Sequence, residues 1–304
     1  MKRSASLHRR AVFQALFVTF LWSTSWVLIK IGLIDIPALT FAGLRYVLAF
    51  LFLLPLTLRS AQRTIIANLS ARQWGLLAAL GILFYSIVQG AQFIGLTYLP
   101  AATVSLILNF TSLVVALMGM VWLSERPGRI GWMGIMLSVL GGIVFFYPIN
   151  FPSAQAAAIL VVVIGMIANA GSGVLGRYIN RYENIPPLLV TTISMGVGGS
   201  ILLLAGGVIQ GIPVLGLKHW GIILWLAVVN TAFAFTLWNH TLRTLPAMES
   251  SIINGTMLIQ IALLAWLFLG ENLTSQEWIG VILAGLGVLL VQLRPSNSKT
   301  KQPG

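Results

Sequence analysis

Apolar runs between polar breaks divide the chain into ten segments, approximately 11–32, 37–58, 74–97, 100–123, 129–148, 154–177, 186–208, 219–243, 246–269 and 274–293. Each holds about 20 residues, the length that crosses roughly 30 Å of hydrocarbon at about 1.5 Å per residue. The runs are continuous rather than alternating. Because lipid leaves no backbone group unpaired, this pattern predicts α-helices and not barrel strands. The expected fold class is an all-α integral membrane protein with ten transmembrane helices.

Polar side chains interrupt these runs at helical spacing. FLWSTSWVLIK, from Phe20 to Lys30, puts Ser23, Thr24 and Ser25 between Trp22 and Trp26. With the helix starting near Phe13, this knot lies about 14–18 Å in, close to the bilayer midplane. A single Ser or Thr at that depth is accounted for by a bond back to a carbonyl one turn earlier, or by a helix contact. Several stripes together are harder to satisfy pairwise. Tyr85, Gln89 and Gln92 share a face of the third segment, and Ser105, Asn109 and Ser112 a face of the fourth. Asn169 and Ser172 share a face of the sixth, Asn230, Trp238 and Thr241 of the eighth, and Ser250 and Asn254 of the ninth. A shared cavity with aromatic walls explains them together. The expected lining is Trp22, Ser25, Arg45, Tyr85, Gln89, Gln92, Asn109, Ser112, Asn169, Ser172, Asn230, Trp238 and Asn254.

Arg45 lies about 12 Å from the outer face by helix rise. Two readings of it stay open: a counter-charge for a substrate carboxylate, or a structural Arg bonded to neighbouring carbonyls. Glu249, three residues past Pro246, reads as an interfacial charge near Arg243. Lys30 and Arg177 read as interfacial anchors, with a gate at each mouth as the alternative. Glu125 and Glu271 are expected to cap or pair locally. The small residues Gly131, Gly134, Ser138, Gly141 and Gly142, with Gly280, Ala284, Gly285 and Gly287, read as close helix packing.

Composition agrees with a membrane chain. Of 304 residues, 58% are hydrophobic and 8% charged, and the mean hydropathy is +0.95; a soluble domain carries about 25% charged residues. The net charge of +12 sits at helix ends, which makes it a topology signal and not a nucleic-acid surface. With the N-terminus inside, the inner segments hold 15 Lys and Arg and the outer ends 2. The positive-inside rule then puts both termini in the cytoplasm, flanking the membrane part as basic stretches 1–10 and 294–304. The apolar run after MKRSASLHRR is too long for a signal h-region and ends in no small-x-small site, so it reads as a retained helix. There is no cysteine, hence no disulfide framework or thiolate site. HExxH and P-loop patterns are absent, and no cofactor is expected.

The two halves repeat. A shift of 146 lays Leu99-Pro100-Ala101 on Leu245-Pro246-Ala247, and pairs Ser105 with Ser251, Glu125 with Glu271, Trp132 with Trp278, Gly134 with Gly280 and Gly141 with Gly287. A shift of 147 lays Ser25–Lys30 on Ser172–Arg177. Because five segments is an odd number, the second copy enters the membrane upside down. The expected division is 11–148 and 149–293, two inverted-topology repeats of five, an arrangement typical of secondary transporters.

The 5+5 pattern, Trp22 to Lys30, Arg45, Leu-Ser-Glu125, Leu-Gly-Glu271 and the Gly-rich fifth and tenth segments resemble the drug/metabolite transporter superfamily, EamA type. Ser124 stands where that family commonly has Gly. The resemblance implies export of amino acids or other small metabolites across the bacterial inner membrane. Partners are then the substrate and the bilayer, and the chain is expected to act as a monomer and not as an enzyme. A channel or receptor is the alternative. An intramembrane serine hydrolase built on Ala170-Gly-Ser172-Gly173 with His240 is a further one, disfavoured because the same sextet repeats in the first half.

Overall fold

A computed structural model describes residues 2–115, 118, 128–148, 152–241, 244–245 and 252–292. Among these the chain is helical and contains no strand. In chain order the elements are α1 (Lys2–Gly32), α2 (Ala38–Thr57), a short α3 (Ser60–Ala67), α4 (Ala71–Tyr98) and α5 (Ala101–Val115). Then follow α6 (Arg129–Phe146), α7 (Ser153–Tyr182), α8 (Pro187–Ile209), α9 (Leu217–Thr241), α10 (Ile252–Leu269) and α11 (Ser275–Gln292). Eight described helices are long and apolar enough to cross a membrane; α5 and α11 are shorter apolar helices.

Local chemistry sets the helix ends. Before α4, Ser70 and Gln73 form a capping box: Ser70 Oγ accepts from Gln73 N at 3.2 Å and Gln73 Oε1 accepts from Ser70 N at 3.0 Å. Pro37, Pro100, Pro152 and Pro186 stand just before α2, α5, α7 and α8, where a missing N–H costs nothing. Gly270 ends α10 in the left-handed region at φ 67°.

The bundle is apolar on its outside. On α6, Met133, Met136, Leu140 and Ile143 are exposed, while Gly134, Ser138, Gly141 and Gly142 are buried. That is the reverse of a soluble helix and suits a lipid surround, where close approach of small residues drives association. The buried face of α6 meets α11, and the two run antiparallel. A Cβ on Gly134 would sit 2.6 Å from the Gly287 carbonyl oxygen, and one on Gly141 2.7 Å from that of Gly280. Between them Ser138 Oγ donates to the Ala284 carbonyl at 3.1 Å. α2 and α8 pack antiparallel in the same manner, with Gly199 against Tyr46 and Gly206 against Leu39–Thr40.

The remaining contacts enclose the middle of the molecule. α1 lies on α9 and α10, α4 on α7 and α8, and α5 on α7 and α10. The main core joins Trp26, Ile29, Phe41, Tyr46, Phe93 and Leu96 from the first half to Val162, Met195, Leu202, Leu226 and Ile261 from the second. Two irregularities recur. Gly81–Val88 of α4 and Val228–Phe233 of α9 are π-wound, starting 147 residues apart. α5 breaks into a turn at Phe110 and α10 at Thr256, 146 residues apart. π segments and helix breaks free backbone groups inside a bundle, so they are tolerated where protein or a cavity takes those groups up.

Candidate functional site

These irregular stretches border a cavity of about 340 Å³ in the bundle interior, within the range of small-molecule sites. α1 contributes Trp22, Ser25 and Trp26; α2 contributes Arg45 and Tyr46; α4 contributes Phe84, Val88, Gln89 and Gln92. The broken α5 gives Ser105, Leu108, Asn109, Thr111 and Ser112, and α7 gives Asn169. Phe235 of α9 and Asn254, Met257, Leu258 and Ile261 of α10 complete it. The lining grades from buried to open: Arg45 is 4% exposed, whereas Asn254 is an exposed residue.

Nine of the thirteen residues expected from the sequence line this space: Trp22, Ser25, Arg45, Gln89, Gln92, Asn109, Ser112, Asn169 and Asn254. Four lie elsewhere. Tyr85 is buried in an edge-on cluster with Phe84 and Tyr46, at centroid distances of 4.9 and 5.4 Å. Trp238 stands behind Trp22, ring to ring at 5.2 Å. Asn230 donates to the Leu21 carbonyl, and to Thr24 Oγ1 at 3.2 Å, inside the α1–α9 contact. Ser172 spends its proton on the Asn169 carbonyl at 2.8 Å, one turn back. Helical spacing puts a residue on the right face but does not say which neighbour that face meets. Trp26, Tyr46, Phe84 and Phe235, absent from the expected set, are apolar walls with no polar periodicity to mark them.

The hydroxyl knot splits by role. Ser23, Thr24 and Ser25 all bond back to carbonyls of their own helix, at 2.8, 2.7 and 2.6 Å. Ser23 Oγ also lies 3.0 Å from Gln260 Oε1, so its one proton is shared between two acceptors and α1 is tied to α10. The larger polar groups behave differently. Tyr46 donates its hydroxyl to Gln89 Oε1 at 2.6 Å, fixing one wall. Asn169 Nδ2 reaches Thr111 Oγ1 at 3.2 Å. Trp22 Nε1 and Asn109 Nδ2 are buried donors with no hydrogen-bond partner. Among the described residues, Arg45 makes one hydrogen bond, Nε to Thr231 Oγ1 at 3.0 Å, and no ion pair. Its guanidinium carbon lies 5.2 Å from the Tyr46 ring centre.

Toward the Lys30 end the lining gives way to packed, fully buried side chains, Ile29, Phe41, Phe93 and Leu96. Lys30 Nζ donates to the Leu99 carbonyl and pairs with Glu271 Oε1 at 3.4 Å. Glu271 in turn accepts from Ala101 N with both oxygens, at 2.8 and 3.0 Å, capping α5 across the molecule. This differs from the local pairing and simple anchoring expected of these two residues. Partners 241 positions apart leave no local signal in the sequence. Glu125, Arg243, Glu249, Ser250 and Ser251 lie outside the described residues. Among the described residues no three His, Asp or Glu side chains gather to hold a metal ion.

A helical bundle with a lipid-compatible exterior and a polar chamber within it is a multi-pass membrane protein. Its family follows from the sequence: the model of the EamA-like transporter family matches residues 9–147 and again 156–293. The chain belongs to that family, within the drug/metabolite transporter superfamily. Relatives include the uncharacterized transporter YvbV of Bacillus subtilis, 24% identical over 95% of this chain and 93% of its own length. A Salmonella typhimurium protein named a probable amino-acid metabolite efflux pump is 23% identical over 93% of this chain and 95% of its own. A solved crystal structure superposes with a TM-score of 0.64 at 15% identity, covering 92% of this chain and 97% of that one, which shows a common fold.

Proposed function

We propose that the protein is a secondary transporter exporting small metabolites, amino acids or other amphipathic neutral or zwitterionic compounds, by alternating access across the bacterial inner membrane. In this reading α1, α2 and α4–α11 are ten membrane helices in two inverted repeats, 11–148 and 149–293, with both termini in the cytoplasm. The observation that carries it is the cavity lined from both halves, polar inside, with packed, buried side chains toward the Lys30 end and an exposed residue, Asn254, in its lining.

The inverted repeat is supported by how contacts exchange. Gly134 meets Gly287 and Gly141 meets Gly280, and a shift of 146 turns the first pair into the second. Ser138 bonds Ala284, its own mate at that shift. Such reciprocity is what a two-fold axis produces. An axis lying in the membrane plane also accounts for the antiparallel packing, for the paired π segments, and for the helix breaks near a midplane site. With the N-terminus inside, Lys30 is outermost, so the arrangement is closed outward and opens inward. A rocking motion that breaks the Lys30–Glu271 contact would expose the same cavity to the other side.

Counterflow in proteoliposomes tests this. Uptake of labelled amino acid that saturates and is driven by unlabelled internal amino acid supports a carrier. Linear, non-saturating conductance would reject it for a channel. Asn109→Leu should lower flux at least tenfold with normal insertion, because it replaces a lining amide. Trp238→Ala should act more weakly, since that ring touches the cavity only through Trp22.

A further inference from the structure

The cavity's hydrogen-bonding groups are unbalanced. Arg45 is fixed at one end only: Nε is held by Thr231 Oγ1, whose own proton goes to the Leu226 carbonyl at 2.8 Å. Its two terminal amino groups therefore have no hydrogen-bond partner among the described residues. Trp22 Nε1, on α1, is likewise unpartnered, and so is Asn109 Nδ2. Guanidinium and indole can only donate, so only an acceptor satisfies them. Asn109 can present either end of its amide.

Charge points the same way. Among the described residues the lining contains one cation, Arg45, and no Asp, Glu, Lys or His. A buried cation without a counter-ion is costly unless water or a ligand neutralises it. An aromatic wall could attract an organic cation, but the Tyr46 ring already has Arg45 at 5.2 Å. Trp22, Trp26, Tyr46, Phe84 and Phe235 supply apolar surface for the rest of a ligand.

We infer that the cavity holds a carboxylate subsite: Arg45 binds the carboxylate, Trp22 Nε1 and the Asn109 amide add donors, and the substrate is a carboxylate with an apolar, aromatic-sized body. Organic cations are excluded. The inference rests on the reading of this cavity as the substrate site and narrows it. A guanidinium fork matches a carboxylate with two parallel N–H groups, which explains why the Nε edge is the one tied down.

The test uses the full chain in lipid nanodiscs and four probes of one shape: phenylalanine, 3-phenylpropanoate, phenylalaninamide and phenethylamine. Calorimetry reads their affinities. Both carboxylates should bind at least tenfold more tightly than the amide and the amine. Arg45→Gln should erase that preference, Arg45→Lys should restore part of it, and Trp22→Phe, which keeps a ring but removes the N–H, should cost several-fold. Melting temperature checks that each variant is folded. An amide or amine that binds as well as the acids, absence of binding by either acid, or a folded Arg45→Gln that keeps the preference would overturn the subsite. The two readings fail separately. Carboxylate binding with no counterflow leaves the subsite and removes the transporter; counterflow of cations alone leaves the transporter and removes the subsite.

Discussion

The α6–α11 seam and the central cavity both place polar side chains deep among apolar helices, and they treat them in opposite ways. At the seam Ser138 is fully buried, its proton is donated to Ala284, and glycines bring the backbones together around it. In the cavity Arg45, Trp22 and Asn109 keep donors unspent. The seam has no room for a ligand, and in the cavity the Trp22 and Asn109 donors meet no acceptor among the described residues. Polarity at membrane depth is therefore not itself a sign of function; unspent hydrogen-bonding capacity beside open volume is.

The contrast can be broken most severely at the seam. Gly141→Leu drives a side chain into the Gly280 carbonyl and should destabilise the protein by about 3 kcal/mol, the upper part of the overpacking range. Melting in detergent and folded yield measure this, and Asn109→Leu should stay within about 0.5 kcal/mol of the wild type. Arg45→Leu sharpens the difference from the other side. Flux should fall more than tenfold while the melting temperature holds or rises, because a buried cation with no counter-ion among the described residues is removed.

Smaller effects follow at the closed mouth. Glu271→Gln keeps an acceptor for Ala101 N but loses the charge facing Lys30. A contact of this kind contributes about 1.5–3 kcal/mol. Its loss should speed labelling of a cysteine at Ser105 by an impermeant reagent added on the Lys30 side, several-fold over the unaltered mouth. Unchanged labelling would mean that the ion pair does not hold this mouth. Ser138→Ala should be the mildest, costing about 0.6 kcal/mol, the average for an interhelical bond in a membrane protein.

Much of the helical plan was legible because apolar runs of membrane length have few other interpretations. The seam was legible too: glycines and Ser138 recur at helical spacing on one face of α6. The cavity was legible where large amides and Arg45 interrupt apolar helices. It blurred where partners come from distant sequence. Asn230 has the same residue type as Asn109, yet its amide nitrogen is spent on the Leu21 carbonyl, and only the α1–α9 packing decides that. Lys30 and Glu271 each read as local features because nothing in either neighbourhood names the other. The π segments share no glycine or proline signature, since Gly81 opens the first and the second has neither residue, and they became visible only in three dimensions.

The chain contains no cysteine, so single thiols can be placed without background. The most direct test of a wet cavity between the halves is to compare Asn109→Cys with Ser138→Cys in intact membranes, using a small water-soluble thiol reagent. Rapid labelling at position 109, slowed by added carboxylate ligand, with none at position 138 is the expected result. Equal labelling at both positions, or protection at both, would contradict an open polar chamber beside a dry seam.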